Sequence, residues 1–406
     1  MEQKIRSTIE WYPPGLLPEE VCGTDERVQV DPTTSPPYNY IASLKIMMPD
    51  GKYGGTGFLI NLPKVKYRVL LTSAHNLYNR IAEAYPDWIE LGIPGEKPMV
   101  VTARDFRLPQ AWIDYGKTDD DYGIILLAGE PAGFGWTTSG DAVSSRRLVS
   151  VCGYPTDKLW PTMWTTGGPI ESVTLTLIRY MMDSVSGQSG SPVWTWWNGY
   201  WTCVGIHGYG GCPNVACRIT LNVIQQILIW ADYDWIGKAI SSDADPEKKV
   251  CLRMDGSKTK SWQGEGSGVV DCQYEAGPLE TLNIIPTMMP PSLATQVRPE
   301  DIPYAIASTA FSNVFLRMDG RNVTPPIPPG GAGKVNCQYG DELYERFYFH
   351  PNKSSYNIES VDFPKVYLRM DGTGVTPSKH PGGVVNCQFA PPGPLETFSL
   401  TNPVRS

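Results

Sequence analysis

The pentapeptide Leu-Arg-Met-Asp-Gly occurs three times in the second half of the chain, at 252–256, 316–320 and 368–372. Each copy is followed by an Asp/Asn-Cys-Gln triplet, at 271–273, 336–338 and 386–388. Each closes on a glutamate ahead of an apolar stretch: Glu280, Glu345 and Glu396. The arginine and the glutamate stand 27, 28 and 27 residues apart, so the period is not an accident of composition. Three strand-rich copies of this length must close one core together, about a pseudo-threefold axis. Pro and Gly supply 77 of the 406 residues, which favours many short strands and turns over long helices.

This arithmetic points to a β-trefoil with three internal repeats over residues 250–406. The repeats resemble fascin-like and actin-crosslinking-like trefoils more than ricin-type lectins, whose Gln-x-Trp signature is absent. Cys272, Cys337 and Cys387 are equivalent under the repeat. Burial as small apolar side chains accounts for them, and a metal on the axis is the rival reading, with no His beside them. The Arg–Glu pairs read as structural, and Asp-Gly in each pentapeptide as a turn. The ligand of such a domain is left open between a carbohydrate and a protein.

Residues 238–249 are polar and read as a linker. Just before them, Val223, Ile224, Ile227, Leu228 and Ala231 fall at helical spacing behind Thr220, a candidate N-cap. One helix therefore closes the first domain, which runs from 21 to 237 behind an arm or pro-segment of residues 1–20. That domain reads as β-rich. Asp50-Gly51 lies between apolar runs, and Asn198-Gly199 between residues 193–197 and 200–205 is a strong hairpin signal. If Trp197 faces Tyr200, the register runs back through Val193 opposite Val204 to Gly190 opposite His207. Opposed residues stand about 4.5–5.5 Å apart at Cα, so Ser189 is expected close to His207.

Ser189 lies in Gly187-Gln188-Ser189-Gly190-Ser191-Pro192. A serine in a glycine-flanked turn can hold its hydroxyl beside backbone amides aimed at one point, as an acyl-transfer nucleophile and its oxyanion hole require. It needs a base that titrates near neutrality. The chain has four histidines, and only His75 and His207 fall in this half. Hairpin geometry nominates His207, and either one is also explained as a structural histidine.

Three motifs in order resemble those of trypsin-like serine proteases. Thr72-Ser73-Ala74-His75 is similar to their histidine motif. Asp121-Tyr122-Gly123-Ile124-Ile125-Leu126-Leu127 is similar to their aspartate motif, and the stretch around Ser189 to their serine motif. Gly23-Thr24-Asp25-Glu26-Arg27, Gly153-Tyr154-Pro155-Thr156-Asp157-Lys158 and Gly205-Ile206-His207-Gly208 resemble the glutamyl endopeptidase branch. The resemblance spans roughly residues 21–235. It implies an all-β, chymotrypsin-like double β-barrel with six strands in each barrel. It implies that Ser189 attacks the peptide carbonyl, His75 carries the proton, Asp121 orients His75, and the backbone amides of Gly187 and Ser189 form the oxyanion hole. Asp119 and Asp120 rival Asp121 but lack the apolar strand immediately after them. His207 becomes a pocket residue, with Ser184 adding a hydroxyl. Gln188 stands where digestive trypsins carry an aspartate that captures the freed N-terminal amine. The amine of Val21, released by a cut between Glu20 and Val21, is then available to the pocket.

Two pocket features disagree about specificity. Asp183 lies six residues before Ser189, the spacing at which trypsins read Lys or Arg. His207 and Ser184 read Glu instead. The expected activity is endopeptidase cleavage after Glu, or Asp, of protein or peptide substrates without a cofactor. The alternatives are cleavage after Lys or Arg through Asp183, and a silent protease fold that binds through the trefoil. A net charge of −8 argues against a general nucleic-acid binder. No apolar run approaches the roughly 18 residues that span a bilayer. The opening Met1-Glu-Gln-Lys-Ile-Arg is not a secretory signal, and nine dispersed cysteines contain no Cys-x-x-Cys. The expected setting is cytoplasmic, or export by an unrecognised route.

Overall fold

In the computed structural model the chain folds as two compact units, Met1–Asp232 with Met288–Thr295, and Tyr233–Thr287 with Gln296–Ser406. The structure describes residues 21–403 apart from 246, 249, 262–264, 293–297, 324–330, 341–343 and 378–381. The arm 1–20, including Glu20, lies outside the described residues. Both units are built almost wholly of antiparallel strands.

The first unit holds two sheets. One has seven strands in the order Met99–Val101, Trp88–Gly92, Ile41–Met48, Gly51–Ile60, Arg68–Thr72, Gly123–Leu127, Phe106–Arg107. In the other, six strands close on themselves: Pro192–Trp197, Leu148–Gly153, Trp164–Val173, Leu177–Tyr180, Asn214–Arg218 and Tyr200–Tyr209, which pairs back with the first. Its interior is packed with Val149, Val151, Ile170, Ile178, Val193, Val204 and Ala216. The helix Leu221–Trp230 forms where the periodicity places it. Thr220 caps it by accepting from the Val223 amide at 3.3 Å, and Leu221, Val223, Ile224, Ile227 and Leu228 are buried.

The hairpin around Asn198-Gly199 departs from the simple register. Both turn residues take positive φ, 48° and 84°, and Trp197 pairs with Tyr200 as the turn demands. Between Trp194 and Val193 the pairing then slips by one residue: Trp194 faces Cys203, but Val193 faces Gly205. Val204 is the extra residue of a β-bulge, and its carbonyl accepts from Ile219 instead. The expected Val193–Val204 and Gly190–His207 pairs are therefore replaced. His207 donates its amide to Ser191 at 2.9 Å, and its carbonyl accepts from Gly190 at 2.7 Å.

In the second unit the repeat is visible as strand pairing. Val250–Asp255 pairs with Val269–Tyr274, Val314–Asp319 with Gly333–Tyr339, and Val366–Asp371 with Val384–Phe389. The three registers coincide, with Leu252, Leu316 and Leu368 opposite Cys272, Cys337 and Cys387. A second pair completes each copy: Leu282–Pro286 with Tyr304–Ser308, Phe347–Asn352 with Ser355–Ser360, and Thr397–Thr401 with Ala239–Ser242. The last of these corrects the expected linker. Residues 239–242 form a strand that pairs with one side of Thr397–Thr401, while Ser355–Ser360 pairs with its other side.

Neighbouring copies meet through the cysteines. A Cβ added at Gly268, Gly333 or Gly383 would lie 2.2, 2.1 or 2.2 Å from the sulfur of Cys337, Cys387 or Cys272 respectively, so only glycine fits. Each sulfur lies 3.6 Å from the carbonyl oxygen of Asp255, Asp319 or Asp371 in the adjoining copy. Burial pushes all three thiols up to about 12.

Candidate active site

Strand pairing brings the first two candidates together. Thr72 pairs with Gly123, so the segments that follow Thr72 and precede Gly123 emerge at the same end of one sheet. After Thr72 the chain turns through the short helix Ala74–Asn76, which carries His75. Asp121 precedes Gly123 and is 1% exposed. Its Oδ2 lies 2.8 Å from His75 Nδ1, and its Oδ1 accepts from the His75 backbone amide at 3.0 Å. Two hydrogen bonds accepted by one carboxylate fix both the ring and its backbone. Asp119 is exposed and Asp120 half-buried, whereas Asp121 is buried against His75. The imidazole sits between aromatic rings, 5.6 Å from Tyr209 and 6.5 Å from Trp112 by centroids.

Ser189 is held by its own carbonyl, which accepts from the Thr56 amide at 3.0 Å and from Asn76 Nδ2 at 2.9 Å. Asn76 directly follows His75, so one short helix carries the imidazole and clamps the serine loop. Thr56 Oγ1 donates to the Gly187 carbonyl at 2.7 Å. Gly187 takes φ +98°, where a Cβ would meet the Tyr154 carbonyl oxygen at 2.5 Å, so the turn requires glycine. The Ser189 hydroxyl donates to the Gly208 carbonyl at 3.1 Å. A Cβ at Gly208 would lie 3.3 Å from Asp121 Oδ2. Gly208 thus stands between the serine hydroxyl and the aspartate, and its lack of a side chain leaves room for both.

The specificity candidates fall into two sets. The Tyr180 hydroxyl and His207 Nδ1 share a 2.6 Å hydrogen bond, and both residues are fully buried. The Ser184 hydroxyl donates to Asn214 Oδ1 at 2.6 Å, and Asn214 Nδ2 donates to the Met182 carbonyl. Asp183 belongs to a different arrangement. Its two carboxylate oxygens accept from the backbone amides of Cys22, at 2.8 Å, and Glu26, at 2.6 Å. A disulfide joins Cys22 to Cys212, and the other seven cysteines are buried thiols. Arg27 reaches Asp25 at 2.9 Å and Asp157 at 2.6 Å. Arg27's hydrogen bond holds Asp25 well below the usual carboxylate range. Val21, half-buried, therefore directly precedes a segment anchored at Cys22, Glu26 and Arg27.

Sequence reasoning missed Tyr180, Asn76, Trp112 and Tyr209. Tyr180 ends a strand and lies nine residues before Ser189, with only tertiary pairing to mark it. Among the described residues no group of three or more His, Cys, Asp or Glu side chains is placed to hold a metal. No helix there is long and apolar enough to cross a membrane.

No family model matches the chain. It is 32% identical over 230 residues to a protein of Bacillus subtilis strain 168 named extracellular metalloprotease, covering 53% of this chain and 71% of that one. It is 30% identical over 232 residues to the glutamyl endopeptidase of Bacillus licheniformis, covering 52% of this chain and 69% of that one. Among solved structures, a Glu endopeptidase in complex with MPD aligns with a TM-score of 0.44 at 24% identity, covering 52% of this chain and 99% of that one.

Proposed function

The chain belongs to the glutamyl endopeptidase family and is a serine endopeptidase, and we propose that it cuts its peptide substrates after glutamate with Ser189, His75 and Asp121 as the triad. In this reading Ser189 Oγ adds to the scissile carbonyl and His75 takes its proton. The tetrahedral oxyanion is received by the backbone amides of Gly187 and Ser189. His75 then returns the proton to the leaving amine, and water repeats the cycle on the acyl-enzyme. Asp121 holds Nδ1 protonated, so the other ring nitrogen is the one that acts as base. The observation that carries this is the pair of hydrogen bonds that Asp121 accepts from His75, with Gly208 lying beside the carboxylate and accepting from the Ser189 hydroxyl.

Preference for glutamate is supported by the disposition of Asp183. A carboxylate that accepts two backbone amides is engaged in anchoring residues 22–26, and a lysine or arginine side chain would have to displace them. His207 and Ser184 then remain as the carboxylate-reading pair, with the amine of Val21 as a second positive charge once Met1–Glu20 is removed. Residues 22–27 are anchored next to Val21, which favours a mature chain starting there. Hydrolysis of matched peptides with Glu, Asp, Gln, Lys or Arg before the scissile bond tests the assignment. Faster cleavage after Lys or Arg overturns it. Mass spectrometry of active enzyme tests maturation: an intact Met1 in fully active protein removes Val21 from the pocket.

The C-terminal unit is read as a β-trefoil of three repeats, supported by the coincident registers of its hairpins, serving as an accessory module for a carbohydrate or protein ligand. A binding protein with a silent protease fold is the competing reading. Labelling by a fluorophosphonate that is lost in Ser189→Ala excludes it.

A further inference from the structure

The catalytic unit contains a short piece of chain from far outside its own sequence. Residues 288–292 lie between two strands of the other unit's sequence, yet they belong to the first unit. Met288 and Met289 pair antiparallel with Thr137 and Trp136. Asn61 Nδ2 donates to the Pro290 carbonyl at 2.8 Å. Ser292 exchanges hydrogen bonds with Gly133: its amide donates to the Gly133 carbonyl at 3.2 Å, and the Gly133 amide donates to Ser292 Oγ at 3.1 Å. The Tyr40 hydroxyl lies 3.2 Å from the same Oγ. The contact is close enough to forbid a side chain. A Cβ at Gly135 would lie 2.8 Å from the Met289 carbonyl oxygen and 2.8 Å from the ring of Pro291.

The strand so covered is not peripheral. Gly135–Thr137 runs parallel to Tyr200–Tyr209, with Gly135 opposite Thr202 and Trp136 opposite Cys203. Tyr200–Tyr209 carries both His207 and Gly208, whose carbonyl accepts from the Ser189 hydroxyl. Without residues 288–289, Gly135–Thr137 would be an open sheet edge, with unpaired backbone groups and a three-residue strand to protect them. A two-residue strand ending in Pro290-Pro291 suits an edge, since prolines have no amide to leave unpaired.

We propose that residues 288–292 are a built-in clasp: an extended segment, added to the edge of the catalytic unit by strand augmentation, that holds the strand bearing His207 in register. Its occupant is this chain's own Met-Met-Pro-Pro-Ser. The catalytic unit then depends on the C-terminal half for its last strand. The dependence rests on backbone pairing and does not require that the pocket read glutamate.

The test uses the full chain. In the unmodified protein, hydrogen exchange at Trp136, Thr137 and Met289 should be as slow as at the other strands of the same sheet; exchange at loop rates overturns the proposal. Asn61→Ala removes one hydrogen bond to the clasp. It should speed exchange at residues 136–137 and 288–292 by about fivefold, the effect of one typical hydrogen bond, and leave Val366–Asp371 unchanged. Gly135→Val should expel the clasp, lower the melting temperature of the catalytic unit and reduce peptide hydrolysis. If that variant fails to fold, Asn61→Ala still decides the matter. Unchanged exchange and activity in Asn61→Ala, or an acceleration spread evenly over both units, sinks the proposal. In the unmodified protein, slow exchange at the clasp together with no preference for glutamate would speak against the pocket reading and leave the clasp standing.

Discussion

One carboxylate, that of Asp121, accepts from both the ring and the backbone of His75. Replacing either His75 or Ser189 by alanine is expected to lower kcat/KM by about 10,000-fold or more, and the double variant should be hardly worse, because triad members act as a unit. A His75→Ala enzyme that keeps its activity while His207→Ala loses it would return the base to His207. Pocket residues should behave differently. Hydrogen bonds to charged groups contribute about 1.5–3 kcal/mol, so His207→Ala should cut the preference for Glu over Gln roughly 10- to 100-fold. Tyr180→Phe keeps the ring but removes the hydroxyl from His207 Nδ1. We expect KM for Glu peptides to rise about fivefold with kcat little changed; equal shifts for Glu and Gln peptides would reduce Tyr180 to packing. At this scale the sequence was informative where chemistry is local. His75, Asp121 and Ser189 sit in contiguous motifs, whereas Tyr180 and Asn76 act through pairings that only the folded sheets create. The spacing of Asp183 to Ser189 is likewise legible, but the two amides bound to its carboxylate come from residues about 160 positions away.

Among elements, the hairpin at Asn198-Gly199 shows how far a turn signal reaches. The positive φ values fix the pairing through Trp194, and the bulge at Val204 then shifts everything nearer the site by one residue. Nothing in the alternation of residues 193–205 marks that slip, since both faces of the hairpin carry apolar side chains. The strand Ala239–Ser242 was hidden more thoroughly. It is four residues long, ends in two serines, and pairs with a strand some 160 residues later. The repeat hairpins were legible because the same spacing recurs three times. Their ion pairs also make a pH prediction. Hydrogen bonds from Arg321 and then Arg317 lower Asp319 from 3.8 to about 2. A depressed carboxylate contributes stability above its unfolded value and loses it as pH falls through its folded one. Asp319→Asn should therefore cost about 1 kcal/mol at pH 7, and the difference from the parent should shrink between pH 4 and pH 2. A gap that persists unchanged at pH 2, followed by denaturant melts, would show that charge is not its cause.

For the molecule as a whole, the boundary between the halves matters more than the halves themselves. A fragment starting at 250 lacks Ala239–Ser242 and leaves Thr397–Thr401 unpaired on that side, so it should melt lower, and less cooperatively, than a fragment starting at 233. Equal melting curves would mean that this strand adds nothing. The same pairing has a topological reading. The strand nearest the start of the unit completes its last copy, and Lys238 Nζ donates to Asn402 Oδ1 at 2.7 Å where the two ends meet. The polypeptide is thus already a nearly sewn ring. Joining 402 to 238 through a few flexible residues and opening the chain in the turn at Lys353-Ser354 should yield a circular permutant of the same architecture. The order in which the copies are read along the gene would then be a matter of where the thread was cut, not of how the cloth is woven.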